Sequence, residues 1–146
     1  MDKYESLKLS NQLCFPLYAA SKEIVKRYRP FLDEIDLTYT QYIAMMVMWE
    51  KEVVSVKELG EKLYLDSGTL TPVLKSLEAK GYIIRKRNDK DERVLDVTLT
   101  KEGRFLKDKA LKVPAAMSGC VLLSPEEAAS LYRIVYKIWG AQNDEV

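Results

Sequence analysis

The segment from Ser55 to Gly81 carries the local pattern that most restricts the fold of this chain. Ser55 and Glu58 have the spacing of a capping box, in which a serine caps the first turn of a helix and a glutamate returns the contact. This pattern predicts a short helix. A second helix begins at Asp66 or Ser67 and stops at Gly81, a residue that favours helix ends. Two helices joined by so short a turn predict a helix-turn-helix.

The exposed face of the second helix has no large apolar side chain. Small hydroxyl groups and a basic residue near the amino end of a helix can approach phosphates and base edges closely. Pro72 lies about one turn inside the helix and lacks an amide hydrogen, which predicts a local irregularity rather than a break. The DNA contacts predicted for this helix are Ser67, Gly68, Thr69, Thr71, Pro72 and Lys75.

Two strands are predicted directly after this unit, over residues 82–87 and 94–99, because apolar and polar residues alternate in the second of them. The loop between them is charged, and seven basic residues against four acidic ones lie between Lys75 and Arg93. A hairpin in this place is typical of the wing of a winged helix, and a basic tip suits the minor groove. The predicted wing contacts are Arg85, Lys86, Arg87, Lys90, Asp91 and Arg93.

Helices are predicted on both sides of this unit. One spans about residues 10–28 and is closed by Pro30, and a central buried helix over 39–50 uses Met45, Met46 and Met48 as core residues. Another runs from 101 to about 112, and the last begins after a capping box at Ser124. The last helix has an apolar face that a compact winged helix does not need, so the first and last helices are predicted to form a dimer interface.

The predicted fold class is therefore mainly α with a small β-hairpin wing. We expect one domain over residues 1–146, with the winged helix-turn-helix at about 38–100 and dimerisation helices at about 8–31 and 101–142. The longest apolar run, 43–49, is too short to span a bilayer, and the first residues do not resemble a signal peptide. We expect a cytoplasmic protein with no membrane partner. With no histidine and two cysteines far apart, no metal or cofactor is expected.

Cys14 lies in an apolar and aromatic setting, which leaves two interpretations open. Most such thiols are inert packing residues, whereas a reactive thiol needs hydrogen-bond donors or positive charge nearby. If the segment is helical, Tyr18 shares the face of Cys14. Tyr28 and Tyr39 could return to it through a turn or from a second subunit.

Three segments together, residues 11–18, 63–75 and 86–93, resemble the MarR family of dimeric winged-helix regulators, and more narrowly its organic hydroperoxide-responsive repressors of the OhrR type. The resemblance implies that organic hydroperoxide oxidises Cys14 to a sulfenic acid and that Tyr18, Tyr28 and Tyr39 surround the sulfur across the dimer interface. It also implies that the second helix of the motif enters the major groove. Arg93 would enter the minor groove, oriented by Asp91. A homodimer should bind double-stranded operator DNA with an inverted repeat.

The resemblance implies two branches of that subgroup, one-cysteine and two-cysteine members, and the role of Cys120 decides between them. Either it resolves the sulfenic acid as a disulfide across subunits, or a small external thiol does so and Cys120 is a bystander. We expect the two sulfurs to be beyond bonding distance in the reduced protein. A regulator controlled by a small phenolic effector remains an alternative. A thiol peroxidase is disfavoured because the chain lacks histidine and its first basic residue after Cys14 is Lys22, so we do not expect an enzyme.

Overall fold

Seven α-helices and three strands follow two short 3-10 turns in the computed structural model, which describes residues 2–140. Residues 141 and 142 of the predicted dimerisation segment lie outside this range. Among the described residues, no helix is both long and apolar enough to cross a membrane. The elements are 3-10 turns Glu5–Leu7 and Leu9–Asn11, then α1 Cys14–Asp33, α2 Tyr39–Lys51, β1 Val53–Ser55, α3 Val56–Leu63, α4 Ser67–Ala79, β2 Ile83–Arg87, β3 Leu95–Leu99, α5 Lys101–Ala110, α6 Lys112–Ser118 and α7 Pro125–Trp139.

The helix-turn-helix consists of α3 and α4, as predicted. Ser55 caps α3 by accepting a hydrogen bond from the backbone amide of Glu58 at 3.1 Å. Asp66, rather than Ser67, caps α4 by accepting from the amide of Thr69 at 2.8 Å. Tyr64 takes a left-handed conformation (φ 54°) in the turn between the two helices. Helix α4 is assigned without a break through Pro72.

The sheet has the predicted hairpin and one strand more. β2 and β3 pair antiparallel, and β1 adds to the other side of β3, with Val54 and Arg85 both opposite Val97. β1 was not predicted, because three residues between two helices are too few to show an alternating pattern.

The core gathers around α2, where Met45 and Met48 are fully buried. Met46 was predicted to be a core residue, but this is wrong, since it is 47% exposed. Met45 and Met48 lie three residues apart on one face of the helix, and Met46 points about 100° away from Met45.

Three helix boundaries differ from the prediction, namely the start of α1, the end of α1 and the end of α5, and a proline lies near the last two. α1 begins at Cys14 rather than near residue 10, and it continues through Pro30 to Asp33. The last turn is held in the core by Leu32, which is 1% exposed, so one missing hydrogen bond does not end the helix. Pro114 lies in the first turn of α6, where an amide has no partner in the helix in any case.

Large parts of α1 and α7 are uncovered within one chain. No residue of α7 is buried, and Leu32 is the buried residue of α1. Apolar side chains therefore face outward on both helices, and the expectation that these helices meet a second subunit stays a prediction. The exposed apolar residues include Leu13, Phe15, Leu17, Tyr18 and Val25 of the first region and Leu131, Tyr132, Ile134, Val135, Ile138 and Trp139 of the last.

Candidate functional site

Cys14 is the first residue of α1 and is exposed as a free thiol. Packing within its own chain, one of the two interpretations left open, is therefore not realised. The amino end of a helix carries partial positive charge and unpaired amides, which attract an anion such as a thiolate. An accessible sulfur in this position suits chemistry with a ligand from outside the chain.

The three tyrosines do not gather around Cys14 within one chain. Tyr18 lies one turn away and its hydroxyl is 3.3 Å from the amine of Lys22. Tyr28 lies on the same unbroken helix, about 21 Å from Cys14 along the axis. Tyr39 packs against Tyr28 at the far end of α1, with ring centroids 5.0 Å apart and the ring planes tilted by 51°. Tyr28 and Tyr39 therefore do not return to Cys14 through a turn within one chain, because α1 is unbroken from Cys14 to Tyr28. The other alternative, that they reach the sulfur from a second subunit, stays a prediction.

The Tyr28 and Tyr39 hydroxyls are suited to donate hydrogen bonds. Burial raises the pKa of Tyr28 above its ordinary value. Burial, and then the nearby Tyr28, raise the pKa of Tyr39 in the same direction. Both phenols therefore stay protonated near neutral pH and keep an O–H to offer to sulfur.

Cys120 follows α6 and is half-buried. Its thiol donates to the carbonyl of Ala116 at 3.6 Å, and its own carbonyl accepts from the guanidinium of Arg27 at 2.8 Å. Arg27 is about 20 Å from Cys14 along α1, which is more than one arginine side chain can span. A disulfide needs Cα atoms within about 7 Å, so the two thiols of one chain cannot form one in this conformation.

The residues predicted on the second helix of the motif form a continuous strip along α4. Asp66 caps the amino end of this helix. Thr71 is half-buried, and the other five side chains or backbone positions are open to solvent, namely Ser67, Gly68, Thr69, Pro72 and Lys75.

The tip of the wing is pre-arranged by hydrogen bonds. The Arg93 guanidinium donates to both carboxylate oxygens of Asp91, at 3.0 and 3.1 Å, and these contacts lower the pKa of Asp91. The side-chain oxygen of Asn88 accepts from the amides of Lys90 and Asp91 and closes the loop. The Arg93 side chain is 89% exposed, and the remaining wing cations Lys86, Arg87 and Lys90 are exposed as well.

Arg85 differs from the other predicted wing contacts. Its guanidinium donates twice to one oxygen of Glu78, at 2.9 and 3.2 Å, and its side chain is only 20% exposed. The Arg85 amide donates to the other oxygen of Glu78, and this contact, followed by those of the guanidinium, lowers the pKa of the carboxyl. Arg85 is thus turned toward α4 and fastens the wing to it.

Sequence reasoning missed a polar link between the start of α2 and α4. Gln41 is 6% exposed, and its side-chain amide donates to Ser76 at 2.9 Å while its oxygen accepts from Lys80 at 3.2 Å. Gln41 also forms a capping box with Thr38, beside Tyr39. The Thr38-x-x-Gln41 spacing could have indicated the cap. Nothing local indicates the contacts with α4.

Comparison with known proteins agrees with this arrangement. A family model described as transcriptional regulator SarA/Rot matches residues 22–110. The organic hydroperoxide resistance transcriptional regulator of Bacillus subtilis is 47% identical over 137 residues, covering 94% of this chain and 93% of that protein. The HTH-type transcriptional regulator SarZ of Staphylococcus aureus is 45% identical over 127 residues, covering 87% of this chain and 86% of that protein.

Solved structures of AbfR from Staphylococcus epidermidis share the fold. Reduced AbfR bound to DNA has a TM-score of 0.79 at 32% identity, and the match covers 96% of this chain and 95% of the AbfR chain. The disulfide form of AbfR has a TM-score of 0.64 at 34% identity, and the match covers 93% of this chain and 96% of the AbfR chain. The chain therefore belongs to the MarR family of winged-helix transcriptional regulators, as the resemblance predicted, and within it to the organic hydroperoxide resistance regulators.

Proposed function

We propose that this protein is a homodimeric repressor that binds operator DNA and releases it when an organic hydroperoxide oxidises Cys14. One observation carries the proposal. Cys14 is exposed at the start of α1, whereas Tyr28 and Tyr39 of the same chain lie at the far end of that helix, so these two could reach the sulfur only from a second subunit. Addition of one oxygen atom to this sulfur would therefore alter the contact between the two subunits. Because each subunit carries a winged helix, such a change can reach the DNA-binding surface.

The chemistry needs no metal or cofactor. The Cys14 thiolate attacks the terminal oxygen of the hydroperoxide, the O–O bond breaks, and the alkoxide leaves and takes a proton from solvent to become an alcohol. Sulfur is oxidised to a sulfenic acid and the peroxide is reduced. Each subunit reacts once, so the protein acts as a sensor and not as an enzyme.

DNA recognition is assigned to α4 and the wing. The α4 strip enters the major groove and Arg93 enters the minor groove, while residues 8–31 and 101–142 form the dimer. Because the dimer has two-fold symmetry, the operator is an inverted repeat. The protein acts in the cytoplasm, where a free thiol stays reduced until oxidant arrives.

The relatives support this mechanism. AbfR has been solved reduced and overoxidised on DNA and in a disulfide form. This chain superposes better on reduced, DNA-bound AbfR than on the disulfide form, with TM-scores of 0.79 and 0.64. We therefore assign the described conformation to the reduced, DNA-binding state, and we assign Cys120 of the partner subunit as the thiol that captures the sulfenic acid.

The test compares operator binding before and after one equivalent of an organic hydroperoxide in wild type and Cys14→Ser. Wild type should lose the operator, and the serine variant should keep it because its hydroxyl cannot form a sulfenic acid. Cys120→Ser is the matched control for thiol loss and should still be oxidised at Cys14. Release of DNA by Cys14→Ser at the wild-type dose would remove Cys14 as the sensor.

A second candidate is a regulator that responds to a small phenolic effector. A cavity of about 470 Å³ lies between α1 and α2, with Val25 and Tyr39 next to the cations Lys26 and Arg29. Its size suits a small ligand. Such a regulator would release DNA on addition of a phenolic acid without oxidant, and Cys14→Ser would respond like wild type.

A further inference from the structure

We propose that Arg27 is a positioning residue for the disulfide step: it holds Cys120 of its own subunit beside α1 at the level that Cys14 of the partner subunit reaches. This inference rests on the proposed function, because it concerns the step that follows oxidation of Cys14.

The contacts of Arg27 support the first part. One nitrogen of its guanidinium donates to the Cys120 carbonyl at 2.8 Å, and another lies 3.5 Å from the carboxylate of Glu23, one turn earlier on α1. Among the hydrogen bonds of residues 2–140, the Arg27 contact is the one that joins α1 to the segment 119–123. The bond goes to the backbone of Cys120 and leaves the thiol free to rotate away from Ala116.

The spacing of residues on α1 supports the second part. Cys14, Ser21 and Tyr28 are seven residues apart, so they follow nearly one line along the helix, with a drift of about 20° per step. If two α1 helices cross antiparallel with the two-fold axis at Ser21, Cys14 of the partner subunit lies opposite Tyr28. This part of α1 is open for such a crossing, since Tyr18 and Val25 are 60% and 41% exposed.

The same axis brings the sulfenic acid to the level of Cys120. Arg27 precedes Tyr28 directly, so the residue that fixes Cys120 lies at the level of the tyrosine donor, about 100° around the helix from it. In this crossing the oxidised sulfur, the Tyr28 and Tyr39 hydroxyls and Cys120 share one level along α1. Within one chain Cys14 is about 20 Å from Arg27 along the helix, so the reaction occurs between subunits.

The step balances without another reactant. The Cys120 sulfur attacks the sulfenic sulfur of the partner subunit, the S–S bond forms and the S–O bond breaks. The hydroxide leaves and takes the proton of the Cys120 thiol, so the products are a disulfide and water. A small external thiol competes for the same sulfur, and the position of Cys120 decides which of the two reacts first.

The experiment measures that competition in Arg27→Met, with Lys62→Met as the control for loss of an exposed cation. Lys62 lies on α3, and among the described residues it forms no ion pair. Reduced protein receives one equivalent of tert-butyl hydroperoxide in the presence of a fixed concentration of free cysteine. Dimedone trapping follows the sulfenic acid, and non-reducing mass analysis separates the covalent dimer from the monomer carrying a cysteine adduct.

Wild type and Lys62→Met should give mainly the covalent dimer. Arg27→Met should form sulfenic acid at the wild-type rate but form the dimer about tenfold more slowly, because the resolving thiol is no longer held in place. Its main product should be the cysteine adduct. Arg27→Lys, which keeps a donor, should recover part of the dimer.

Three results would overturn the inference: formation of the dimer by Arg27→Met at the wild-type rate, an equal slowing of sulfenic acid and disulfide, or capture of the wild-type sulfenic acid by free cysteine alone. The last result leaves the proposed function intact. Failure of the proposed function itself looks different, since no sulfenic acid would then form at Cys14 of wild type.

Discussion

The wing arginine permits the most direct test of how this protein binds DNA. Arg93 is almost fully exposed and already oriented by Asp91. Loss of a specific groove contact costs about 1–3 kcal/mol, and a dimer loses two of them, so Arg93→Ala should weaken operator binding by about 2–6 kcal/mol. At about 1.4 kcal/mol per factor of ten, Kd should rise at least roughly 30-fold.

Removing the orienting carboxylate should cost less. Asp91→Ala leaves the cation in place but obliges Arg93 to become ordered on binding, which costs about 0.5–1.5 kcal/mol for each side chain. Lys75→Ala serves as the comparison on α4. As a phosphate contact, Lys75 should contribute to all DNA sequences alike, and its loss should reduce the salt slope by about one per contact.

Fluorescence anisotropy of reduced protein gives these quantities, with an operator that wild type selects from a random pool and a scrambled duplex of equal length. Titrations at several salt concentrations separate phosphate contacts from base recognition. Arg104→Ala is the control, because Arg104 pairs with Glu52 away from the wing tip. Unchanged operator affinity in Arg93→Ala would refute wing contact, and a larger loss in Asp91→Ala than in Arg93→Ala would refute the orienting role.

Two further predictions concern stability. Gly103→Ala should lower the free energy of unfolding by about 1–3 kcal/mol, because its Cβ would lie 2.2 Å from a backbone carbonyl. Chemical denaturation should show this loss, whereas Gly119→Ala, with its first neighbour at 3.6 Å, should stay near wild type. Glu78→Gln should be less stable than wild type near neutral pH, because Arg85 lowers the pKa of the folded carboxyl. The extra stability of wild type is present above the unfolded pKa of about 4.5 and is lost as pH falls through the folded pKa. Denaturation at several pH values from 7 to 3 should therefore show that the difference in unfolding free energy between wild type and variant shrinks. A difference that grows would contradict the assignment.

The sequence predicted the elements whose signals are local. The caps at Asp66 and Ser124 and the stop at Gly81 lie within the segments that they delimit, so α4, α7 and the hairpin followed from short-range patterns. The continuation of α1 past Pro30 depended instead on burial of Leu32 in the core. A tertiary contact of this kind overrides a local break signal and leaves no trace in neighbouring residues.

The same distinction holds at the candidate site. Cys14 and the wing cations could be proposed from their neighbours in the chain. Arg27 meets a residue 93 positions away, and Gln41 meets one 35 positions away. The sequence groups Arg85 with the other wing cations, and only the fold shows that it contacts Glu78. Pairings between distant segments need the fold before they can be recognised.

The uncovered face of α7 has a thermodynamic consequence. An isolated helix of this length is marginal in water, and no residue of α7 is buried in its own chain. If α7 forms the proposed dimer interface, association stabilises the helix and unfolding is a bimolecular equilibrium. The melting temperature rises with protein concentration under such an equilibrium. A melting temperature then applies only to the protein concentration at which it was measured. Variants of this protein should therefore be compared at equal subunit concentration.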